Sequence, residues 1–182
     1  MIAELAGNIE HLTGLQYKKH IAATLKYLSE QGIHSLTLDI GERSPLTEAI
    51  ENNFNVKIFN TSGDLDADFV FPLKIYDNII YSHTIEHQFS PLNTLLRVAE
   101  VMDRDSKLFI MLPSRGKLLW CPGHYHEIDH YRMQLLIKRA GLKITDYQRR
   151  KHWRAWWFYL TGCKAFMRLF FEYNAYYIVR NG

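Results

Sequence analysis

Cysteine and net charge are both low in this sequence. The 182 residues include two cysteines, Cys121 and Cys163, which are too few for a disulfide framework and have no metal-ligand spacing. A small disulfide-stabilised secreted domain is therefore excluded, and a reducing, cytoplasmic location is predicted. The formal net charge of +3 is too small to require a nucleic-acid partner, and none is predicted.

Long apolar segments are also missing. The N-terminus carries Glu4 and has no apolar run of the kind found in signal peptides. The longest apolar stretch, residues 155–171, is interrupted by Lys164 and Arg168 and is shorter than the ~20 residues of a membrane-spanning helix. We therefore expect neither a signal peptide nor a transmembrane helix, and the hydrophobic content of 47% indicates a globular domain.

Strand and helix patterns alternate along the chain. Residues 35–40 alternate apolar and polar and run into Asp39 and Gly41, after which Ser44 suits an N-cap and Pro45 the first helical position. A strand that ends in such a turn and leads into a helix is where open α/β sheets bind nucleotide-like ligands.

The periodicity predicts the remaining elements in the same way. Helices are expected at 17–31, 45–54, 91–102 and 130–140, and strands at 55–60, 69–71, 76–83, 107–112, 142–147 and 175–179. This order predicts a doubly wound, mostly parallel sheet with helices on both faces. With no repeat or linker, we expect one domain over 1–182, with residues 1–32 as an N-terminal helical arm.

Four segments resemble class I S-adenosylmethionine-dependent methyltransferases of the small-molecule type. They are Leu38–Gly41 (LDIG), Tyr76–His87 (YDNIIYSHTIEH), Ser106–Pro113 (SKLFIMLP) and Ala140–Ile144 (AGLKI), together with the helix that follows Pro91. The resemblance lies in their serial order. It implies a Rossmann-like fold with an antiparallel last strand, and S-adenosylmethionine as the cofactor.

The resemblance also implies a set of cofactor-binding residues. Asp39 would face the methionine end of the cofactor or order the turn, and Gly41 would allow close approach of the backbone. Asn60 would bind the ribose, Asp64 the adenine amino group, and Leu65 the ring face. Ser82 and His83 would line the methionine portion. The alternatives are a helix-capping Asp39 and, for Asp64, a solvated acidic turn.

The cofactor turn departs from the family pattern. Only Gly41 remains of the usual two or three glycines, and Glu42 and Arg43, which follow it, would crowd the pocket unless they point outward. Asn60 stands where the family usually has a carboxylate, and an amide is the weaker acceptor for a ribose hydroxyl. The glycine loop is therefore degenerate by sequence.

The segment His83–His87 (HTIEH) has the spacing of a zinc-peptidase motif. That motif requires one helix, whereas His83 ends a predicted strand and Pro91 opens the next helix. We instead interpret His87 as a catalytic base at the mouth of the substrate pocket, because an imidazole suits proton removal near neutral pH. The alternative is structural, with Glu86 holding a loop and His87 capping a helix.

A second cluster, His124–His130 (HYHEIDH), follows the strand at 107–112. It suits either a metal site or a loop that covers the substrate. We favour the substrate-side loop, with His126 as second catalytic candidate, and predict no metal. Glu127 and Asp129 would cap the next helix under either interpretation.

The tail is predicted to form an aromatic helix over 153–171, inserted before the last strand. A helix that is apolar nearly all round is either buried or docked. The expected partner is a second copy of the chain or, through peripheral contact, the inner face of the membrane. Its aromatic residues form a block and do not alternate with basic residues, so stacking on nucleic acid is not expected.

Three functional hypotheses follow. The first is a methyltransferase that acts on an oxygen or nitrogen of a small-molecule, glycan or lipid-linked acceptor. The second is a non-catalytic binding or assembly protein of the same fold that acts through the aromatic helix. A metal-dependent hydrolase that uses the histidine cluster is third.

Overall fold

The computed structural model describes residues 2–114, 119, 123–151 and 154–182, with side chains from residue 17 onward. The strands in this part of the chain are β1 (Thr37–Asp39), β2 (Ile58–Asn60), β3 (Ser62–Gly63), β4 (Phe69–Val70), β5 (Asn78–Ser82), β6 (Lys107–Ser114), β7 (Leu142–Lys151) and β8 (Tyr173–Asn181). The α-helices are α1 (Ile2–Gln31), α2 (Pro45–Phe54), α3 (Pro91–Glu100), α4 (His130–Arg139) and α5 (Cys163–Phe171). Short 3₁₀ helices lie at Ile85–His87 and Trp156–Leu160.

Six strands form one sheet in the order β2-β1-β5-β6-β8-β7, and β3 pairs with β4 separately. β1, β2, β5 and β6 run parallel to one another, whereas β8 lies between β6 and β7 and runs antiparallel to both. The predicted doubly wound sheet with an antiparallel last strand is therefore confirmed. The chain runs outward from β1 to β2 and then returns to β5, so the strand order reverses between β1 and β5. A crevice at the carboxyl ends of these two strands is expected at such a point.

Alternating strand residues fill a core on each side of the sheet. Ile79 and Tyr81 of β5 pack with α3 and α4 residues such as Leu95 and Met133, whereas Ile80 packs on the opposite side with Tyr27 of α1. Each of these side chains is fully buried, which stabilises the fold by about 1.5–3 kcal/mol per large apolar side chain. The sheet ends are thereby fixed, and the crevice is built on them.

The helix that follows the β1 turn begins as the sequence predicts. Ser44 Oγ accepts a hydrogen bond from Thr47 N at 3.3 Å, Thr47 Oγ1 accepts one from Ser44 N at 3.1 Å, and Pro45 is the first helical residue. This reciprocal capping box fixes the direction in which the chain leaves β1. At the other predicted cap, Asp129 Oδ1 accepts from Arg132 N at 2.8 Å and begins α4.

The predicted single helix over 153–171 is wrong. The 3₁₀ helix at Trp156–Leu160 ends at Thr161, and Gly162, with φ +150°, separates it from α5. No side chain of α5 is buried, so burial, one of the two expected arrangements, does not hold for α5, and docking on a partner stays a prediction. Cys163 is a free, exposed thiol, whereas Cys121 and Trp153 lie outside the described residues.

The segment from Arg154 to α5 is fastened to β8 by one ion cluster. Glu172, which is buried, accepts two hydrogen bonds from Arg154 at 3.1 Å and one from Arg168 at 2.7 Å. At the other end of the chain, the N-terminal arm and the helix predicted at 17–31 are one continuous helix, α1, whose C-terminal part packs on the sheet. Across the described ranges, no helix combines the length and apolarity needed to cross a membrane.

Candidate functional site

Asp39 ends β1 with its carboxylate buried beneath the turn. Thr47 Oγ1 donates a hydrogen bond to Asp39 Oδ2 at 2.6 Å. Burial raises the pKa of Asp39 from 3.8 to about 6, while the hydrogen bond from Thr47 lowers it by less. Asp39 is therefore a positioning group for the turn, and its negative charge is costly unless a cation lies nearby.

The Gly41 turn is open to close approach. Its backbone N–H donates to Thr61 Oγ1 at 2.9 Å, and its φ of +122° is a conformation that favours glycine. Apart from chain neighbours, the Thr84 hydroxyl, at 3.9 Å, is the one described atom within 4 Å of where a Cβ would lie. The side chains expected to crowd this position do not approach it: Glu42 is exposed, and Arg43 forms ion pairs with Glu48 and Glu51 on α2.

Of the two residues predicted to hold the ribose and the adenine, Asn60 lies beside this turn. Asn60 Nδ2 donates to the carbonyl oxygens of Asp39 at 3.3 Å and Gly41 at 3.2 Å, so its own carbonyl oxygen is the atom that can accept from a ribose hydroxyl. Asp64 is exposed, and its Oδ1 accepts from Asp66 N at 2.9 Å within a turn. Leu65, half-buried, packs against the core.

β5 lies next to β1 in the sheet, and Ser82 is its last residue. The Ser82 hydroxyl is buried and has no hydrogen-bond partner among the described residues. A buried hydroxyl without a partner is uncommon in proteins. His83 adopts φ +53°, which is uncommon for a non-glycine residue, and this turns its ring toward α1, where it lies 4.1 Å from the ring of His20.

His87 and His124 meet beside the crevice, although 36 residues separate His87 from the loop at Gly123. His87 lies in the 3₁₀ helix after β5 and is exposed, and its Nδ1 lies 2.7 Å from the Gly123 carbonyl. The two imidazole rings are perpendicular, with centroids 4.8 Å apart. The predicted substrate-side loop therefore does contact the segment that follows β5.

Glu86 holds these two segments together. Its backbone carbonyl accepts from Tyr125 N at 2.9 Å and from His126 N at 3.3 Å, and its side chain is buried with Oε1 3.6 Å from His83 Nδ1. The sequence alternative in which Glu86 holds a loop is therefore realised, through its carbonyl. The spacing His83–His87 bridges a strand end and a 3₁₀ helix, not one α-helix, so it is not the zinc-peptidase arrangement.

A cavity of about 670 Å³ opens on the other side of this loop, between the start of α3 and α4. His126 lines it, and Nε2 of that ring lies 3.2 Å from the Phe89 carbonyl. Phe89 and Tyr125 stack at 4.0 Å on its wall. The volume suits a small organic ligand, and the lining combines aromatic surface with a few polar groups.

Three residues that position the site were not among the predicted ones. Thr47 and Thr61 hold Asp39 and Gly41, and Asp66 accepts from Phe89 N at 2.9 Å and Ser90 N at 2.8 Å. Thr47 carries a local signal, because it stands at the third helical position of a capping box. Thr61 and Asp66 have no local signal, because their partners lie 20 or more residues away in the chain.

No protein-family model matches the sequence, and no curated protein matches it. Among solved structures, a S-adenosylmethionine-dependent methyltransferase from Clostridium acetobutylicum aligns over 100% of this chain and 99% of its own, with 11% identity and a TM-score of 0.57. Coclaurine N-methyltransferase bound to N-methylheliamine and SAH aligns over 87% of this chain and 72% of its own, with 13% identity and a TM-score of 0.58. The [4+2]-cyclase SpnF aligns over 87% and 80%, with 10% identity and a TM-score of 0.59. The chain therefore has the class I methyltransferase fold.

Proposed function

We propose that the protein is an S-adenosylmethionine-dependent methyltransferase whose acceptor is an oxygen or nitrogen of a small molecule, a glycan or a lipid-linked compound. The observation that carries the proposal is the open Gly41 turn after β1, at the point where strand order reverses between β1 and β5. Backbone there is accessible to a nucleoside, and Ser82, the last residue of the neighbouring strand, would line the methionine portion.

The residues around the turn fit this cofactor. The Asn60 carbonyl oxygen would accept from a ribose hydroxyl, Leu65 would contact the adenine ring, and the exposed Asp64 would receive the adenine amino group. Asp39, held by Thr47, lies beneath the turn as a buried acid whose ionised form is favoured by a cation above it. The degenerate glycine loop is therefore compatible with binding, with a weaker ribose contact than a carboxylate would make.

The chain's own task in the reaction is alignment and proton removal. When bound, S-adenosylmethionine supplies an electrophilic methyl group, and the C–S bonding pair returns to sulfur as the bond to the acceptor forms. His87 is the proposed base: with Nδ1–H donated to the Gly123 carbonyl, its Nε2 carries the lone pair that takes the acceptor proton. His126 is the second candidate, for an acceptor in the cavity between the start of α3 and α4, which His126 lines and His87 does not.

Calorimetric titration of the full chain with S-adenosylhomocysteine tests the proposal. We expect one site, and we expect Gly41→Val to weaken binding at least about tenfold, which corresponds to about 1.4 kcal/mol. The matched control is Gly141→Val, which introduces the same side chain at another positive φ with open space around it, away from the cleft. Absence of binding by the unsubstituted chain at about 1 mM ligand, a binding free energy weaker than about 4 kcal/mol, would contradict the proposal.

A binding or assembly function is the second candidate, and the exposed aromatic segment favours it. The exposed fractions of Trp156, Trp157 and Leu160 are 75%, 59% and 73%. A contiguous apolar surface of this kind marks an interaction site. Light scattering after size exclusion distinguishes the two candidates: a dimer that a Trp156→Ser/Leu160→Ser variant converts to monomer, in a chain that binds no S-adenosylhomocysteine, would favour assembly.

A further inference from the structure

We propose that Glu86, His87 and His124 form a binding site for a divalent transition-metal ion, for which Zn²⁺ is the best match. One ligand atom from each of the three side chains lies within 4.8 Å of the others. Two imidazoles and one carboxylate are a donor set that zinc uses in sites with an open coordination position. This site differs from the histidine-rich segment His124–His130, because two of its three ligands come from the turn after β5.

The donor spacing requires a small contraction. Ligand atoms around a four-coordinate zinc ion lie about 3.3–3.5 Å apart, since each zinc bond is about 2.0–2.2 Å long. The exposed His87 is the ligand with the most room to move, because Glu86 and His124 are buried with exposed fractions of 2% and 7%.

His87 has the second contact that metal-binding imidazoles require. A metal-bound histidine almost always donates its other ring N–H to a carbonyl or a carboxylate, which fixes the tautomer and the ring orientation. Here His87 Nδ1 lies 2.7 Å from the Gly123 carbonyl, so Nε2 is the His87 nitrogen that binds the metal. His124 Nδ1 lies 3.4 Å from Glu127 Oε1, which is an electrostatic contact and not a hydrogen bond.

The backbone pre-organises the site. The Glu86 carbonyl accepts hydrogen bonds from Tyr125 N and His126 N, the two residues that directly follow His124. The loop that carries one ligand is therefore tied to the residue that supplies another.

A role for the metal in catalysis rests on the proposed methyltransferase function. A zinc ion with three protein ligands keeps one open position, and an oxygen that binds there loses its proton more readily. His87 would then be a ligand and not the base, because the metal occupies the same Nε2 lone pair. The proton of an acceptor hydroxyl would instead be released from the zinc-bound oxygen to solvent.

The test is a calorimetric titration of the metal-stripped full chain with Zn²⁺. It is done in a Cys121→Ser/Cys163→Ser background so that thiolates do not contribute. We expect one equivalent to bind, and we expect His87→Ala, at an exposed position that folding does not require, to weaken binding about 100-fold or more. His124→Ala and Glu86→Gln should do the same, whereas His126→Ala, a histidine of the same loop outside the donor set, should change affinity less than about threefold.

Co²⁺ serves as a spectroscopic probe on the same protein. Visible absorption of a low-coordinate Co²⁺ centre should appear with one equivalent and disappear in His87→Ala. The inference is overturned if Zn²⁺ does not bind stoichiometrically, or if His126→Ala loses binding while His87→Ala keeps it. Titration of each sample with S-adenosylhomocysteine separates the two proposals: loss of zinc binding with nucleoside binding intact rejects only the metal site.

Discussion

The cleft and the C-terminal aromatic segment are held to the sheet in opposite ways. At the Gly41 turn, polar groups are held by specific hydrogen bonds, as the buried Asp39 carboxylate is by Thr47 and the Gly41 N–H by Thr61. In the aromatic segment the large apolar side chains are outside, with Trp156 75% exposed, and its main attachment is ionic. The turn thus presents polar groups held in place by hydrogen bonds, and the segment presents exposed apolar side chains.

Among the charge substitutions, Glu172→Gln should give the largest loss of stability. It leaves Arg154 and Arg168, whose side chains are 12% and 16% exposed, without their buried counter-ion. Removal of one partner from a buried ion cluster costs about 3–5 kcal/mol in the free energy of unfolding. Because both arginines are partly exposed, we expect a loss at the lower end, about 3 kcal/mol. Urea denaturation followed by tryptophan fluorescence measures it.

Glu48→Gln is the matched control for this substitution. Glu48 also pairs with an arginine, Arg43, but both side chains are at least half exposed, at 63% and 50%. Exposed pairs contribute at most about 1 kcal/mol, so little change is expected. Equal losses from the two substitutions would show that Glu172 does not hold the segment through a buried cluster.

Asp39→Asn should change how stability depends on pH. Burial raises the pKa of Asp39 to about 6 from 3.8, so the folded chain holds this proton more tightly than the unfolded chain. The contribution of protonated Asp39 to folding stability is therefore fully present below about pH 4 and is lost as the pH rises through about 6. A shift of about two pKa units corresponds to about 3 kcal/mol as an upper value.

The measurement compares the free energies of unfolding of both forms, without ligand, from about pH 4 to pH 8. The free energy of unfolding of the asparagine variant should equal that of the unsubstituted chain at about pH 4. At about pH 8 it should be higher by about 1–3 kcal/mol, because the variant buries no charge. The same comparison of Asp105→Asn, at an exposed turn, should show no such divergence. Parallel curves for Asp39→Asn and the unsubstituted chain would contradict the burial of an ionisable Asp39.

Gly41→Ala and Gly141→Ala should cost similar stability but differ in ligand binding. Both glycines have positive φ, +122° and +76°, and a Cβ meets no atom closer than 3.9 Å at either position. Left-handed backbone costs a non-glycine residue about 1–2 kcal/mol, which denaturation measures for both. Only Gly41→Ala should weaken S-adenosylhomocysteine binding, and an equal effect of Gly141→Ala would mean that the loss follows from general destabilisation.

The sequence predicted the sheet and its helices well because these depend on local patterns. The apolar alternation in β1 and β5 and the Ser44–Pro45 start of α2 are visible within a few residues, and the structure has α2 at the predicted bounds. The antiparallel β8 came from the resemblance to a known fold, which fixes strand order where periodicity does not. Strand ends were the less accurate part, since β1 is three residues long where six were expected.

The contacts that assemble the site were not predictable from local patterns. Thr61 bonds to Gly41 across 20 residues, and His87 approaches the Gly123 loop across 36, so neither pair has a sequence signal. The prediction for the aromatic segment was wrong for a different reason. Its apolar residues satisfied a helical period throughout, but Gly162 breaks the helix, and the period does not tell an inward face from an exposed one.

Trp156→Ser/Trp157→Ser should have the smallest effect on folding. Both indoles are mostly exposed, at 75% and 59%, so their removal should change the free energy of unfolding by less than about 0.5 kcal/mol. If the segment is an interaction surface, the same variant should lower self-association in light scattering or binding to anionic vesicles in sedimentation.

Tyr159→Ser is the contrasting variant, because Tyr159 is buried and its hydroxyl accepts from Arg154 N at 3.0 Å. It should destabilise the segment by about 3 kcal/mol without removing the exposed apolar area. If the double-tryptophan variant unfolds but still associates fully, the two tryptophans contribute to folding and not to an interaction surface, which would contradict this prediction.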